Sequence, residues 1–215
     1  MFQLPLDWSR MRTVLCLGAH CDDIEIGCGG TLMRLKDLAP GVQFHWCVFS
    51  GDDVREAETR AAAAALLGSD GAVHVEVARF RNSYFPYVGG EIKEFVESLR
   101  KRVVPDLIFT HWLADRHQDH RLIAELTWNA FRNHLILEYE IPKFEGDLGQ
   151  PNVLSPLSPE HVERKLDVLE RCFPSQRSRP WFRREVFHGY LALRGVECNA
   201  ASGFAEGFHG RKLVL

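Results

Sequence analysis

The sequence predicts an α/β fold in which a mainly parallel sheet lies between two layers of helices. Short runs rich in Val, Ile, Leu and Phe alternate along the chain with helical stretches of roughly a dozen residues. The first run, residues 14–18, is continuously apolar, which is typical of a strand buried on both faces. Because strands separated by helices form right-handed crossovers, we expect a three-layer α/β sandwich.

Each predicted element has its own signal. Five strands are expected at residues 14–18, 42–49, 73–77, 107–110 and 136–141. Four helices are expected at residues 29–38, 55–67, 92–103 and 119–135. A glycine-rich turn opens the first helix, Gly68 ends the alanine-rich second helix, and Pro105 ends the third.

The chain changes character after the fifth predicted strand. Residues 143–159 are rich in Gly, Pro, Asn and Ser, which predicts an ordered surface loop. Two helices should follow at residues 159–172 and 181–193, and then a short tail that can return as a strand.

Length and composition are those of one ordinary globular domain. The chain has 215 residues, of which 46% are hydrophobic and 26% charged. We therefore expect a single domain over residues 1–215, with an α/β core at 1–141 and a C-terminal helical elaboration at 142–215. The net charge of −3 offers no basic surface for nucleic acid or an anionic membrane, and no segment is long and apolar enough to span a bilayer.

The cysteines indicate a reducing compartment. The six cysteines form no CxxC pair and no regular framework, which favours free thiols. The first long apolar stretch is too short for a secretory signal and runs directly into polar residues. We expect a cytoplasmic protein.

Two short clusters of histidine and aspartate follow predicted strands, one after the first strand and one after the fourth. Their members are His20, Asp22, Asp23, His117, Asp119 and His120. The carboxyl ends of parallel strands meet at one edge of a sheet, so the clusters can converge. Imidazole nitrogen and carboxylate oxygen are zinc ligands, and a catalytic zinc keeps one position open for water. The coincidence of the two clusters predicts a zinc site.

The spacing suggests which of these residues bind the metal and which acts as a base. His20 and Asp23, three residues apart in a tight turn, can bind one ion, and His120 can complete the site with one zinc per chain. Asp22 is then free to act as a general base toward water activated at the metal.

The remaining pair fits a supporting role. Asp119 could hold the His117 imidazole in one tautomer and favour its cationic form, so that His117 stabilises an oxyanion or protonates the departing amine. The alternative is structural: a single histidine at a strand end is more often part of the packing, and Asp119 could simply cap the next helix.

Functions of other classes fit less well. Residues 27–30, Gly-Cys-Gly-Gly, invite a nucleotide-binding interpretation, but the G-x-G-x-x-G spacing is absent and acidic residues precede them where a pyrophosphate would be repelled. A catalytically silent scaffold is disfavoured by the complete set of presumed ligands, acid and base.

The two clusters also resemble the motifs of a known family. Residues 19–32, Ala-His-Cys-Asp-Asp-Ile-Glu-Ile-Gly-Cys-Gly-Gly-Thr-Leu, are similar to the N-terminal signature of the PIG-L, or LmbE-like, zinc N-deacetylases, whose usual form is His-Pro-Asp-Asp. Residues 117–120 resemble the later His-x-Asp-His motif of that family. The likeness covers the element order to about residue 141 and extends more loosely to residues 204–208.

This resemblance implies a Rossmann-like fold and removal of an acetyl group from an N-acetylated amino sugar, of N-acetylglucosamine type, or its conjugate. It implies zinc at His20, Asp23 and His120, with Asp22 as the general base. The His117–Asp119 pair would stabilise the tetrahedral intermediate and assist the leaving amine. An amidase that cleaves larger acyl-amine or sugar conjugates by the same mechanism is the alternative.

Substrate contacts are predicted less sharply. The resemblance suggests Arg55 as a residue that reaches toward substrate, although Arg60 could take the same role. Arg81 and Asn82 follow the third predicted strand and could line the rim of the pocket. The expected partner is a small N-acetylated sugar, and the aromatic-rich C-terminal part leaves a homo-oligomer open.

Two positions depart from the family pattern. Cys21 replaces the usual proline and places a thiol near the metal; we expect it to be a spectator, although a soft ligand could compete for zinc. Phe204 stands where some relatives carry a tyrosine, and a phenyl ring cannot donate a hydrogen bond to an oxyanion.

Overall fold

The computed structural model describes residues 7–213. In chain order the helices and strands are β1 (Thr13–Gly18), α1 (Asp23–Leu38), β2 (Gln43–Val48), α2 (Asp53–Leu67), β3 (Val73–Val77), α3 (Gly89–Arg102), β4 (Leu107–His111), α4 (Gln118–Ala130), β5 (Leu135–Tyr139), β6 (Val153–Pro156), α5 (Pro159–Cys172), α6 (Arg184–Glu197) and β7 (Ala205–Gly210). Short 3₁₀ segments lie at Trp8–Arg10, Phe85–Val88 and Pro174–Gln176.

The strands form one sheet in the order β3-β2-β1-β4-β5-β7-β6. The pairings from β3 through to β5 are parallel, whereas β7 pairs antiparallel with both β5 and β6. Successive strands are added on one side of β1 up to β3 and on the other side from β4 onward, so β2 and β4 are the two neighbours of β1. This is the mainly parallel α/β sheet that the sequence predicts.

Helices cover both faces of the sheet. Leu15 and Leu17 of β1 belong to one apolar cluster, which also contains the buried side chains of α3 and α4. Val14 and Cys16 point to the other face and belong to the cluster that contains the apolar side chains of α1, α2 and α5. The three-layer sandwich is therefore confirmed. Within residues 7–213, no helix has the length and apolar character needed to cross a membrane.

Elements with strong local signals have the predicted bounds. β3 and α5 match the prediction, and α5 begins where the Ser158 side chain accepts the N–H of His161 and Pro159 occupies the first turn. Gly68 ends α2 with a φ of 83°, and its N–H donates to the carbonyl of Ala64.

The predicted start of α1 at residue 29 was wrong, because the helix begins at Asp23. The glycines that had predicted a turn lie inside this helix, where they permit close packing. A Cβ atom on Gly27 would lie 2.2 Å from the Tyr139 ring, and one on Gly30 would lie 2.5 Å from Leu157. Tertiary packing, rather than turn formation, accounts for these glycines.

Other predicted bounds were also wrong, since α3 begins at Gly89 rather than 92 and α6 ends at Glu197 rather than 193. α4 ends at Ala130 rather than 135, since the apolar run that follows it already belongs to β5. β6 lies inside the predicted loop at 143–159, and its four residues at the sheet edge end with a proline. α6 begins at Arg184 rather than 181. The tail does return as a strand, β7.

Candidate metal centre

The loops after β1 and β4 meet because these strands are neighbours, with Cys16 opposite Phe109. His20 lies in the first loop, Asp23 begins α1, and His120 lies in the first turn of α4. The Nδ1 atom of His20 lies 3.1 Å from Nε2 of His120 and 3.4 Å from Oδ2 of Asp23. Nε2 of His120 lies 3.5 Å from Oδ1 of Asp23. The predicted ligands thus converge on one point.

These separations fit a tetrahedral zinc ion. Ligand atoms at about 2.0–2.1 Å from a tetrahedral zinc lie roughly 3.3 Å from one another. The observed distances of 3.1 to 3.5 Å are close to that value, with Oδ2 of Asp23 facing His20 and Oδ1 facing His120. The donor set of two imidazole nitrogens and a carboxylate suits zinc. His20, Asp23 and His120 are therefore a suitable set of protein ligands for the predicted metal.

Two further histidines lie within reach of the same point. Metal-ligating atoms of His117 lie within 4.8 Å of those of His20 and His120, and atoms of His111 lie within that distance of Asp23 and His120. His111 is fully buried and stacks on His120 with ring centroids 3.9 Å apart. Its Nε2 accepts the N–H of Ala19 at 2.9 Å, so that lone pair is engaged by the backbone.

Each of the two histidines predicted as ligands has a carboxylate hydrogen-bonded to its other ring nitrogen. Oδ2 of Asp119 lies 3.2 Å from Nε2 of His20, and Oδ2 of Asp115 lies 2.9 Å from Nδ1 of His120. Such carboxylate–histidine pairs fix the tautomer and ring orientation of metal ligands. Sequence reasoning missed Asp115, which lies in the loop before α4 and whose role shows only in its contact with His120.

The surroundings of His117 differ from the prediction. The Asp119 carboxylate contacts His20 and the backbone N–H groups of Ser83 and Phe85, so it does not orient His117 as expected. The backbone N–H of Asp119 instead donates to Nδ1 of His117, which caps α4. The neutral imidazole then carries its proton on Nε2.

The neutral form of His117 is also the favoured one, whereas the sequence predicted the cation. Burial lowers the pKa of His117, and the nearby His20 lowers it further, against the opposing effect of Asp119. His117 can therefore act as a hydrogen-bond donor through Nε2 without being charged.

Asp22 lies beside the predicted ligands in a different environment. Its side chain is buried, and its Oδ1 lies 3.0 Å from the guanidinium of Arg55. Burial raises the pKa of Asp22 to about 6, and the positive charge of Arg55 limits the rise. Arg55 also donates to the carbonyl of Cys21 at 2.7 Å and to Ser175 Oγ at 3.1 Å. Its guanidinium is thus held against protein groups at the edge of the cleft.

The electrostatics of the site favour a cation. Burial alone would lower the pKa of His20, but the carboxylates of Asp23 and Asp119 outweigh it and raise this pKa to about 10. The pKa of Asp23 is well below its usual range, because His120, His111 and His20 together overcome the cost of burial. The carboxylates around His20 thus give the site a negative charge that favours a bound cation.

Cys21 has the properties of a spectator. Its side chain is buried, and Sγ lies 3.2 Å from the carbonyl oxygen of Ser50. Burial raises the pKa of the Cys21 thiol to about 12, so it is protonated at neutral pH. A protonated thiol is a poor zinc ligand.

The predicted ligands lie at the base of a cleft of about 580 Å³. Asn82 and Arg55 line it as expected, but Arg81 is not among the lining residues and its guanidinium lies 3.6 Å from the Tyr84 ring centroid. Arg60 pairs with Glu56 on the exposed side of α2. Phe204 contacts the His188 ring.

Part of the cleft wall comes from residues outside the predicted site. The additional lining residues are Ser50, Gly51, Asp52, Phe80, Ser83, Ile141, Lys143, Phe144, Glu145, Gln176, Arg179 and Trp181. Gln176, Arg179 and Trp181 lie between α5 and α6, in the C-terminal elaboration. No local pattern in the sequence connects that segment with the two motif loops.

Comparisons with known proteins identify the family of this chain. Residues 15–131, more than half of the chain, match the family model described as PIG-L, GlcNAc-PI de-N-acetylase. The uncharacterized deacetylase YaiS of Escherichia coli strain K12 is 28% identical over 174 residues, which cover 76% of this chain and 91% of that protein.

Solved structures share the fold. N,N'-diacetylchitobiose deacetylase from Pyrococcus horikoshii superposes with a TM-score of 0.76 at 23% identity, covering 98% of this chain and 87% of that one. GalB, the 4-carboxy-2-hydroxymuconate hydratase of Pseudomonas putida KT2440, also superposes with a TM-score of 0.76, at 19% sequence identity. The superposition covers 95% of this chain and 98% of GalB. Since one of these neighbours is a hydratase, the chemistry has to be argued from the site rather than from the fold.

Proposed function

The chain belongs to the PIG-L family, and from that membership we propose that it is a zinc-dependent hydrolase that removes the acetyl group from an N-acetylated amino sugar or its conjugate. The observation that carries the proposal is the convergence of His20, Asp23 and His120, with ligand atoms 3.1–3.5 Å apart, at the base of a cleft that Asp22 and His117 also line.

The ligand set defines what a metal would contribute. Bound by His20, Asp23 and His120, a zinc ion would polarise the amide carbonyl and lower the pKa of water at the site. Asp115 and Asp119 hold the two histidines in the orientation that binding requires.

Asp22 is the general base in this proposal. With a pKa near 6, its carboxylate is mainly ionised at neutral pH and can accept a proton from the attacking water. As the carbon–nitrogen bond breaks, the protonated Asp22 can return that proton to the departing amine. The products are then acetic acid and a free amine, which exchange a proton with each other or with solvent to give acetate and the ammonium form, and Asp22 is again ionised.

His117 stabilises the negative charge that develops on the carbonyl oxygen. Its Nδ1 accepts the backbone N–H of Asp119, which leaves Nε2–H as a donor directed by the helix cap. A neutral donor of this kind provides oxyanion stabilisation, for which single groups are worth about 10²–10³-fold in rate.

The cleft walls support a sugar as the substrate. Aromatic rings of Phe80, Phe144 and Trp181 line the cleft, and an aromatic face can pack against the apolar face of a pyranose ring. In the part of the chain that the structure describes, the Arg179 guanidinium and the Trp181 indole N–H make no hydrogen bond within the protein. These groups can bind sugar hydroxyls.

A substrate panel tests the proposal. Acetate release would be measured with N-acetylglucosamine, short N-acetylglucosamine oligosaccharides, a nucleotide-linked N-acetyl sugar and long-chain N-acyl amines. We expect release from one or more N-acetyl sugars, with Asp22→Asn as the inactive control. Preference for long-chain acyl amines would favour the amidase alternative, and metal-independent nucleotide binding without hydrolysis would favour a binding module.

A further inference from the structure

The rim of the cleft after β5 contains a lysine that pairs with two buried carboxylates. Lys143, Phe144 and Glu145 line the cleft, and Phe144 is 69% exposed at its mouth. Among residues 143–146, the side-chain hydrogen bonds to the rest of the described chain, residues 7–213, are made by the Lys143 ammonium group. Lys143 is therefore the side chain that joins this rim to the loop before α4.

Lys143 forms a buried double ion pair. Its Nζ lies 3.0 Å from Oδ2 of Asp115 and 2.8 Å from both carboxylate oxygens of Asp147. The side chain of Lys143 is 7% exposed, that of Asp115 is 1% exposed and that of Asp147 is 5% exposed. Because a buried charge is costly unless it is paired, this geometry holds the ammonium group between two loops.

One of these carboxylates also orients a predicted metal ligand. The same Oδ2 atom of Asp115 lies 2.9 Å from Nδ1 of His120, and Oδ1 accepts the N–H of His117. Asp147 in turn accepts the N–H of Arg116 at 2.6 Å. Lys143 thus connects the rim to the loop before α4, whose Asp115 contacts both His117 and His120.

We propose that Lys143 is a positioning residue that fixes the rim of the cleft relative to His120, through Asp115, for the substrate of the proposed deacetylation. Asp115 retains its contacts with His120 and His117 when Lys143 is replaced, so metal binding persists. The rim loses its anchor and has to be ordered when the substrate binds, which weakens substrate binding.

Kinetics of Lys143→Met on the N-acetyl sugar that the wild type cleaves test this role. We expect KM to rise about tenfold, while kcat and zinc affinity stay within about threefold of the wild-type values. The free energy of ordering the rim reduces substrate binding and leaves the reacting groups unchanged. Lys143→Arg restores the two ion pairs and should recover most of the KM effect. Lys93→Met, which removes an exposed lysine on α3 that pairs with Glu97, is the matched control and should change nothing.

Two measurements need no substrate. Hydrogen exchange of a peptide covering residues 113–118, in which the Arg116 N–H donates to Asp147, should be faster in Lys143→Met. It should be faster to a smaller extent in Asp147→Asn, which removes one of the two ion pairs and keeps the Asp115–Lys143 contact. Asp115→Asn should instead weaken zinc binding by about 10–100-fold. Asp147→Asn therefore tests the anchor even if Lys143→Met folds poorly.

Unchanged KM and unchanged exchange in Lys143→Met and Asp147→Asn would overturn the inference. So would a loss of zinc in Lys143→Met as large as that in Asp115→Asn, since the lysine would then act on the metal ligand rather than on the rim. If the wild type cleaves no acetylated sugar, the proposed function fails, whereas exchange and zinc binding still decide the role of Lys143.

Discussion

Asp22 and Asp23 are adjacent in the sequence, yet their carboxylates have different surroundings. Asp23 lies within 3.5 Å of imidazole nitrogens of His20, His111 and His120, and its pKa is well below its usual range. Asp22 faces Arg55 instead, and burial raises its pKa to about 6. Different environments of this kind are how two neighbouring carboxylates acquire different roles.

The first prediction separates these roles. Asp22→Asn should lower kcat by about 10²–10⁴-fold, because a general base is lost, and should leave zinc bound. Asp23→Asn, its matched neighbour, should release zinc. Metal analysis and acetate release would be measured on both purified variants. Loss of zinc from Asp22→Asn and retention by Asp23→Asn would reverse the assignment.

The second prediction concerns Arg55. The guanidinium favours the ionised form of Asp22, so Arg55→Met should raise the pKa of Asp22, typically by about 1–3 units for such a pair. Only ionised Asp22 accepts a proton, so activity is lost as pH falls through this pKa. The acid limb of kcat/KM should therefore move to higher pH, from a wild-type position near or below 6.

Arg60→Met provides the control for this shift. Arg60 lies on the same helix but pairs with Glu56 away from the cleft. A pH profile that moves with Arg60→Met and not with Arg55→Met would show that the wrong arginine has been assigned.

At the scale of elements, α1 depends on contacts from the C-terminal part of the chain. Glu206 of β7 accepts the N–H groups of Gly30 and Thr31 at 2.8 and 2.7 Å. Lys165 of α5 donates to Glu206 and to the carbonyl of Ile26, both at 2.6 Å. The helix that carries Asp23 is thus held by a buried ion pair formed by two later elements.

The third prediction tests the close packing of this helix. Gly27→Ala should destabilise the protein by about 1–3 kcal/mol, because overpacking against the Tyr139 ring exceeds the gain in helix propensity of about 1 kcal/mol. Gly41→Ala, where a Cβ meets no atom within 4 Å, should change stability by less than about 0.5 kcal/mol. Urea unfolding measures both, and equal effects would refute the packing explanation.

The elements that the sequence predicted well are those with local signals. Ser158 with Pro159 marks the start of α5, and Gly68 marks the end of α2, because capping depends on a few adjacent residues. The start of α1 was missed, since its glycines serve contacts with Tyr139 and Leu157 that lie more than a hundred residues away. β6 was missed because a four-residue edge strand has almost no pattern of its own.

For the whole molecule, the sequence predicted the sheet type and the edge where the two motif loops meet. It could not predict the wall formed by Gln176, Arg179 and Trp181, because that wall depends on how the last third of the chain packs against the first. For a similar reason, the sequence did not predict that Asp115 orients His120. That role depends on contacts of Asp115 with His120 and Lys143, which only the folded structure shows.

The fourth prediction concerns the domain organisation, which we propose to be a single domain. β6 and β7 extend the sheet formed by the first five strands, and Glu206 contacts α1 directly. Thermal unfolding followed by far-UV circular dichroism and by tryptophan fluorescence should therefore give one coincident transition. Two separated transitions would indicate that residues 142–215 fold independently.

The central claim is that one zinc ion, bound by His20, Asp23 and His120, is required for deacetylation. Its most direct test is a titration of the metal-depleted protein with zinc while acetate release from an N-acetyl sugar is measured. We predict no release without metal and a rise that reaches its plateau at one zinc per chain. Full activity of the metal-depleted protein would contradict the claim.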